Sequence, residues 1–152
     1  MNDITSYMLE QTKKILSIDS PTGFTAHAAE YVLGAYKKLG YDAKLTNKGG
    51  IFVCVNDGPD QADDPADAPI LLEAHMDTLG GMVCSINEKG RLMLSALGGM
   101  NPNNAEAENC RVYTRSGKVY SGTFQLKNAS IHVNGSYNDT ARSYDAMEVV
   151  LY

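Results

Sequence analysis

The first forty residues carry apolar positions at helical spacing. Ile4, Met8, Ile15 and Leu16 recur near intervals of three and four, which predicts an amphipathic helix over residues 3–17, with Asn2 or Asp3 placed to cap its start. Ser20-Pro21-Thr22-Gly23 interrupts the pattern. A second stripe follows, made of Ala29, Val32, Leu33, Tyr36 and Leu39. It predicts a helix opening after Thr25 as N-cap and closing with Gly40 in the C′ position. Lys37 and Lys38 fall in its last turn, where the helix dipole favours positive charge. The period then shortens. Residues 41–46 and 51–55 alternate enough to be strands joined by a turn at Asn47-Lys48-Gly49-Gly50. Residues 56–69 hold five Asp, three Pro and one Gly and read as a solvated loop. Residues 70–74 form a continuous apolar run ending at Ala74, the pattern of a central strand covered on both faces.

After Gly80-Gly81 the text changes character. Residues 82–86, 91–96, 110–114, 119–126, 130–133 and 147–151 are strand candidates separated by glycine-containing turns, with a longer polar stretch over residues 101–108. No useful helical period is present there, so this half is expected to be all-β, a barrel or small sandwich. The expected organisation is α/β for residues 1–79, the front part of a layered domain, followed by a β-rich part over residues 80–152.

Composition narrows the possible partners. The chain has 152 residues, 43% of them apolar, which suits a globular protein with a core. Thirteen basic and eighteen acidic residues leave a net charge of −5, and no Lys/Arg run is present. Nucleic acid and membrane are therefore not expected as partners. No basic segment followed by an apolar core opens the chain, so no signal peptide is visible. The three cysteines, Cys54, Cys84 and Cys110, are widely spaced and odd in number. They read as reduced, buried thiols of a cytoplasmic protein.

The candidate chemistry lies at the end of the apolar run, in Glu73-Ala74-His75-Met76-Asp77-Thr78-Leu79-Gly80. Residues two apart on a strand face one side. His75 and Asp77 could thus meet at a strand end, where open α/β sheets place their sites. A carboxylate beside an imidazole suits a metal ligand, because it binds the ring nitrogen not on the metal and fixes the tautomer. A bare His-x-Asp pair is also common as ordinary strand-end polarity. His27, in the first turn of the second helix, and His132, alternating with apolar neighbours in 130–133, read as surface or cross-strand residues.

The segment around His75 resembles the first metal-ligand segment of the M42 family of metallo-aminopeptidases, the glutamyl and deblocking aminopeptidases, some of them labelled endoglucanase M. Ser20-Pro21-Thr22-Gly23-Phe24-Thr25, Lys48-Gly49-Gly50, Gly90-Arg91-Leu92, Gly98-Gly99, Glu106-Ala107-Glu108-Asn109-Cys110, the stretch from Thr114 to Tyr120 and Met147-Glu148-Val149 look like further family segments in family order. The resemblance implies the front of an α/β zinc-peptidase catalytic domain with an incomplete inserted β domain. It also implies peptide substrates, homo-oligomers and two divalent metal ions, zinc or cobalt. His75 matches the first metal ligand and Asp77 its orienting carboxylate. The family's bridging Asp, its Glu pair including the general base, its second Asp and its distal His have no match before Tyr152. The expectation is therefore an N-terminal portion of an aminopeptidase, inactive as this chain alone and capable of partial metal binding at most. A second reading is a non-catalytic assembly or binding module. The endoglucanase label fits poorly, since the chain has no Trp and no acidic pair placed across a cleft.

Overall fold

The computed structural model describes residues 3–55 and 70–152. The expected acidic loop over 56–69 and the capping role of Asn2 lie outside the described residues. The chain divides into two compact units, Met1–Thr78 and Leu79–Tyr152.

The first unit begins with two helices, α1 over Asp3–Leu16 and α2 over Ala26–Lys38. Both fall where the 3.6-residue period places them. The Tyr31 hydroxyl on α2 donates to Gln11 Oε1 on α1 at 2.6 Å. Gly40 follows α2 at φ 91, the left-handed position that glycine takes at no steric cost. Thr25 stands at the N-cap position, as expected, but without its capping bond. Its backbone lies in the helical region, at φ −95 and ψ −1, and its side chain makes no capping bond. A capping hydroxyl needs an extended backbone to reach the free N–H groups of the first turn. A short hairpin, β1 over Lys44–Leu45 and β2 over Ile51–Phe52, pairs antiparallel across a turn at Gly49. The buried apolar side chains described in this unit are small: Ala28, Ala29 and Ala43.

Two apolar faces expected to be covered lie open. α1 has no buried residue, and residues 70–77 belong to no helix or strand. Ile70, Leu71 and Leu72 are 88%, 70% and 90% exposed, so the central strand read from the apolar run is not formed among the described residues. Such a run needs a neighbour on each side. In this unit β1 and β2 pair with one another, and the run has one bridge, from Thr78 to Pro21.

The second unit is a five-stranded antiparallel sheet. Its strands are β3 over Gly80–Ile86, β4 over Leu92–Leu97, β5 over Asn109–Tyr113, β6 over Val119–Leu126 and β7 over Met147–Leu151, in the order β3-β4-β7-β6-β5. The last strand in the chain is thus central. Met147, Glu148 and Val149 are all buried, so both of its faces are covered. One face joins Leu92, Ala105, Phe124 and Leu126 in the core. On the other, Glu148 accepts from Asn87 Nδ2 at 3.1 Å, with Arg91 Nε at 4.0 Å, which satisfies a carboxylate that would otherwise be costly to bury. β6 shows the expected period of two, with Gly122, Phe124 and Leu126 inward.

The long connection from β6 to β7 is tied by Arg142. Its guanidinium grips Glu106 at 2.7 and 3.2 Å, donates to the Tyr137 and Thr140 carbonyls, and lies 4.7 Å over the Tyr137 ring. Residues 130–133, expected as a strand carrying His132, are turns instead. Asn134 donates to the Asn128 carbonyl at 2.9 Å and accepts from the Ser136 N–H at 3.1 Å. Side-chain bonds of this kind offer the backbone an alternative to a ladder. The cysteines also depart from expectation: Cys54 and Cys84 are exposed, and only Cys110 is half-buried, with burial pushing its thiol pKa up.

Gly122 is required by close packing. A β-carbon there would stand 2.8 Å from the Val150 carbonyl oxygen and 2.9 Å from Val149 Cγ1. Gly122→Ala should lower stability by about 1–3 kcal/mol, read as a fall in the urea midpoint. The Arg142 hydrogen bonds hold the Glu106 carboxyl below the usual carboxylate range. Its contribution is then complete above the ordinary carboxylate pKa and is lost as pH falls through the lowered folded value. Stability of the protein should drop through that acid window, and the drop should be smaller in Glu106→Gln, measured by urea denaturation at a series of pH values.

Candidate active-site corner around His75 and Asp77

Two short pieces of the first unit meet around Asp77. Residues Ser20, Pro21 and Thr22 run beside Thr78. The Thr78 N–H donates to the Ser20 carbonyl at 2.7 Å, and the Thr22 N–H donates to the Thr78 carbonyl at 3.2 Å. Pro21 sits between these bonds, where its missing N–H breaks none of them. A tight turn follows, closed by the Phe24 N–H on the Pro21 carbonyl at 2.7 Å, with Gly23 at φ 86. Ser20 is buried, and its hydroxyl finds no partner among the described residues.

This pairing brings Thr22 to Asp77 from 55 residues away. The Thr22 hydroxyl donates to Asp77 Oδ2 at 2.7 Å. The other carboxylate oxygen, Oδ1, lies 3.2 Å from His75 Nδ1, which is also 3.0 Å from the Asp77 backbone carbonyl. A carbonyl can only accept, so Nδ1 carries the proton. Nε2 is then the lone-pair nitrogen, on a side chain 86% exposed. The Thr22 hydrogen bond is the main cause holding the Asp77 carboxyl below the usual carboxylate range, and His75 adds to it.

The two residues singled out from the sequence are therefore in contact. The contact does not come from a ladder strand, as residues 75 and 77 belong to no strand. His27 is exposed and its ring packs edge-on to Phe24 at 5.7 Å. Nothing in the sequence marks Thr22 as a site residue beyond its place in the family-like Ser20–Thr25 turn, and no spacing rule links positions 22 and 77.

One imidazole whose Nδ1 is engaged leaves Nε2 as a single metal donor. A catalytic zinc needs three protein ligands. No group of three His, Cys, Asp or Glu side chains among the described residues is arranged to hold a metal ion. The residues present fit one ligand position with its carboxylate support and do not fit a whole metal site.

The fold recurs in solved structures. The aminopeptidase APDkam598 from the archaeon Desulfurococcus kamchatkensis aligns with a TM-score of 0.77 at 22% identity, covering 95% of this chain and 37% of its own. The Pyrococcus horikoshii TET1 peptidase, described as able to assemble into a tetrahedron or a large octahedral shell, aligns with a TM-score of 0.76 at 20% identity, covering 95% and 40%. The mixed helix and sheet architecture is thus that of part of a TET-type aminopeptidase. The model of the M42 glutamyl aminopeptidase family matches residues 50–151, and the chain belongs to that family. YhfE of Bacillus subtilis, which carries an aminopeptidase name, is 34% identical over 143 residues. The glutamyl aminopeptidase of Lactococcus lactis is 32% identical over 112 residues. The chain spans 40% and 30% of the lengths of these two relatives.

Proposed function

We propose that this chain is the front portion of a metal-dependent aminopeptidase that removes N-terminal residues from peptides. The observation that carries the reading is the family match over residues 50–151 together with the His75–Asp77 contact, a metal-ligand imidazole with its orienting carboxylate. In this reading residues 1–79 belong to the catalytic α/β domain and residues 80–152 to an inserted β domain.

His75 would supply Nε2 to one of two divalent ions, zinc or cobalt. Such ions, when bound, polarise the scissile carbonyl and activate water. Asp77 holds the imidazole in the tautomer that leaves Nε2 free and raises its basicity as a donor. Among the described residues no further side chain joins His75 to complete a metal site, and in this reading the 152-residue chain by itself hydrolyses no peptide. The open apolar face of α1 and the exposed run Ile70-Leu71-Leu72 are the surfaces that the remainder of a catalytic domain would cover. TET1, a fold relative, can assemble into a tetrahedron or a large octahedral shell, and a homo-oligomer is proposed for the complete protein. Among the described residues no helix is long and apolar enough to cross a membrane, and a cytoplasmic location is proposed with the rest.

The test is release of N-terminal residues from unblocked peptides in the presence of zinc or cobalt. The 152-residue chain should release none. The complete polypeptide encoded with this sequence should be active, and His75→Ala should lower its kcat/KM by at least about a hundredfold, with loss of bound metal. Undiminished activity in His75→Ala would refute the assignment of His75. A complete polypeptide without peptidase activity would favour an assembly role instead.

A further inference from the structure

We propose that Thr22 is a positioning residue for the His75 imidazole, acting through Asp77. This inference rests on the reading of His75 as a metal ligand and assigns a role to a residue on a distant turn. A carboxylate that supports a histidine must present one oxygen to Nδ1 and keep the other occupied. Asp77 is 40% exposed, so its own packing does not hold it. The Thr22 hydroxyl does so, with an O–H to carboxylate bond of 2.7 Å on Oδ2, leaving Oδ1 toward His75. Bonds from a hydroxyl to an ionised acceptor are among the stronger side-chain bonds.

Thr22 is itself fixed. Its N–H is bonded to the Thr78 carbonyl, the next residue after Asp77, and Gly23 at φ 86 turns the chain away immediately behind it. The β-branched side chain has few χ1 choices, which further narrows where the hydroxyl points. The result is a hydrogen-bonded series with one function: turn, hydroxyl, carboxylate, ring nitrogen. No proton moves along it. It fixes which imidazole nitrogen faces outward.

The experiment reads the ring tautomer and needs no metal. The 15N shifts of the His75 ring, recorded on the metal-free protein at a pH well above the histidine range, give the ratio of Nδ1–H to Nε2–H. In the unaltered protein Nδ1–H should dominate. Asp77→Ala should lower the ratio, though the Asp77 backbone carbonyl still favours Nδ1–H. Thr22→Val should lower it by roughly twofold or more, and Thr22→Ser, which keeps the hydroxyl, should restore it. Thr22→Ala should match Thr22→Val, which guards against an effect of the valine's bulk on the turn. Amide signals of Ser20 and Thr78 report that the pairing persists. If Asp77→Ala lowers the ratio but both Thr22→Val and Thr22→Ala leave it unchanged, Thr22 has no positioning role while the His75–Asp77 pair stands. If Asp77→Ala itself changes nothing, the pair does not orient the ring, and the proposal for Thr22 fails with it. A Thr22→Ser variant that behaves like Thr22→Ala would also overturn the role of the hydroxyl.

Discussion

Two backbone hydrogen bonds tie the Ser20–Thr22 strip to Thr78, and the geometry of the candidate site follows from them. An Asp and a His two residues apart have many relative arrangements on an exposed segment. The pairing with Thr78 places a hydroxyl 2.7 Å from one Asp77 oxygen, and the second oxygen then meets the imidazole at 3.2 Å. The Pro21 ring and the Gly23 turn make the strip stiff where it must be held and sharply bent where it must leave. The chemistry of His75 as a donor with a free Nε2 depends on this local order more than on burial, because the side chain itself stands in solvent.

The second unit obeys a different constraint. Its central strand β7 arrives last in the chain and must be covered on both faces. Met147 and Val149 enter the apolar core, while Glu148 is satisfied by Asn87 and Arg91. The long connection that delivers this strand is held by the Arg142–Glu106 pair, with two parallel contacts and a ring beneath the guanidinium. Bidentate geometry of this type fixes orientation as well as proximity, which suits a connection with no ladder of its own.

Much of this was legible in the sequence. The helical periods of α1 and α2, the strand over residues 119–126 and the C′ glycine at Gly40 are local signals, and the structure follows them. The apolar run at residues 70–74 has the local pattern of a buried strand, yet it is exposed, since burial of a central strand depends on neighbours that no local pattern supplies. Residues 130–133 alternate like a strand, but the Asn134 side chain competes for the backbone there. At the site, the His75-x-Asp77 pair was visible because its spacing is short. Thr22 was not, because its partner lies 55 residues away and a single threonine in a turn has no distinguishing pattern.

The most direct measurement is native mass spectrometry of the polypeptide that carries this sequence, purified from its source cells, since it reads chain mass and bound metal together. A chain well above 16.4 kDa that carries divalent metal, and loses it in His75→Ala, is the predicted result. A metal-free polypeptide, or one whose metal is indifferent to His75, would contradict the account of His75 as a ligand of an aminopeptidase metal centre.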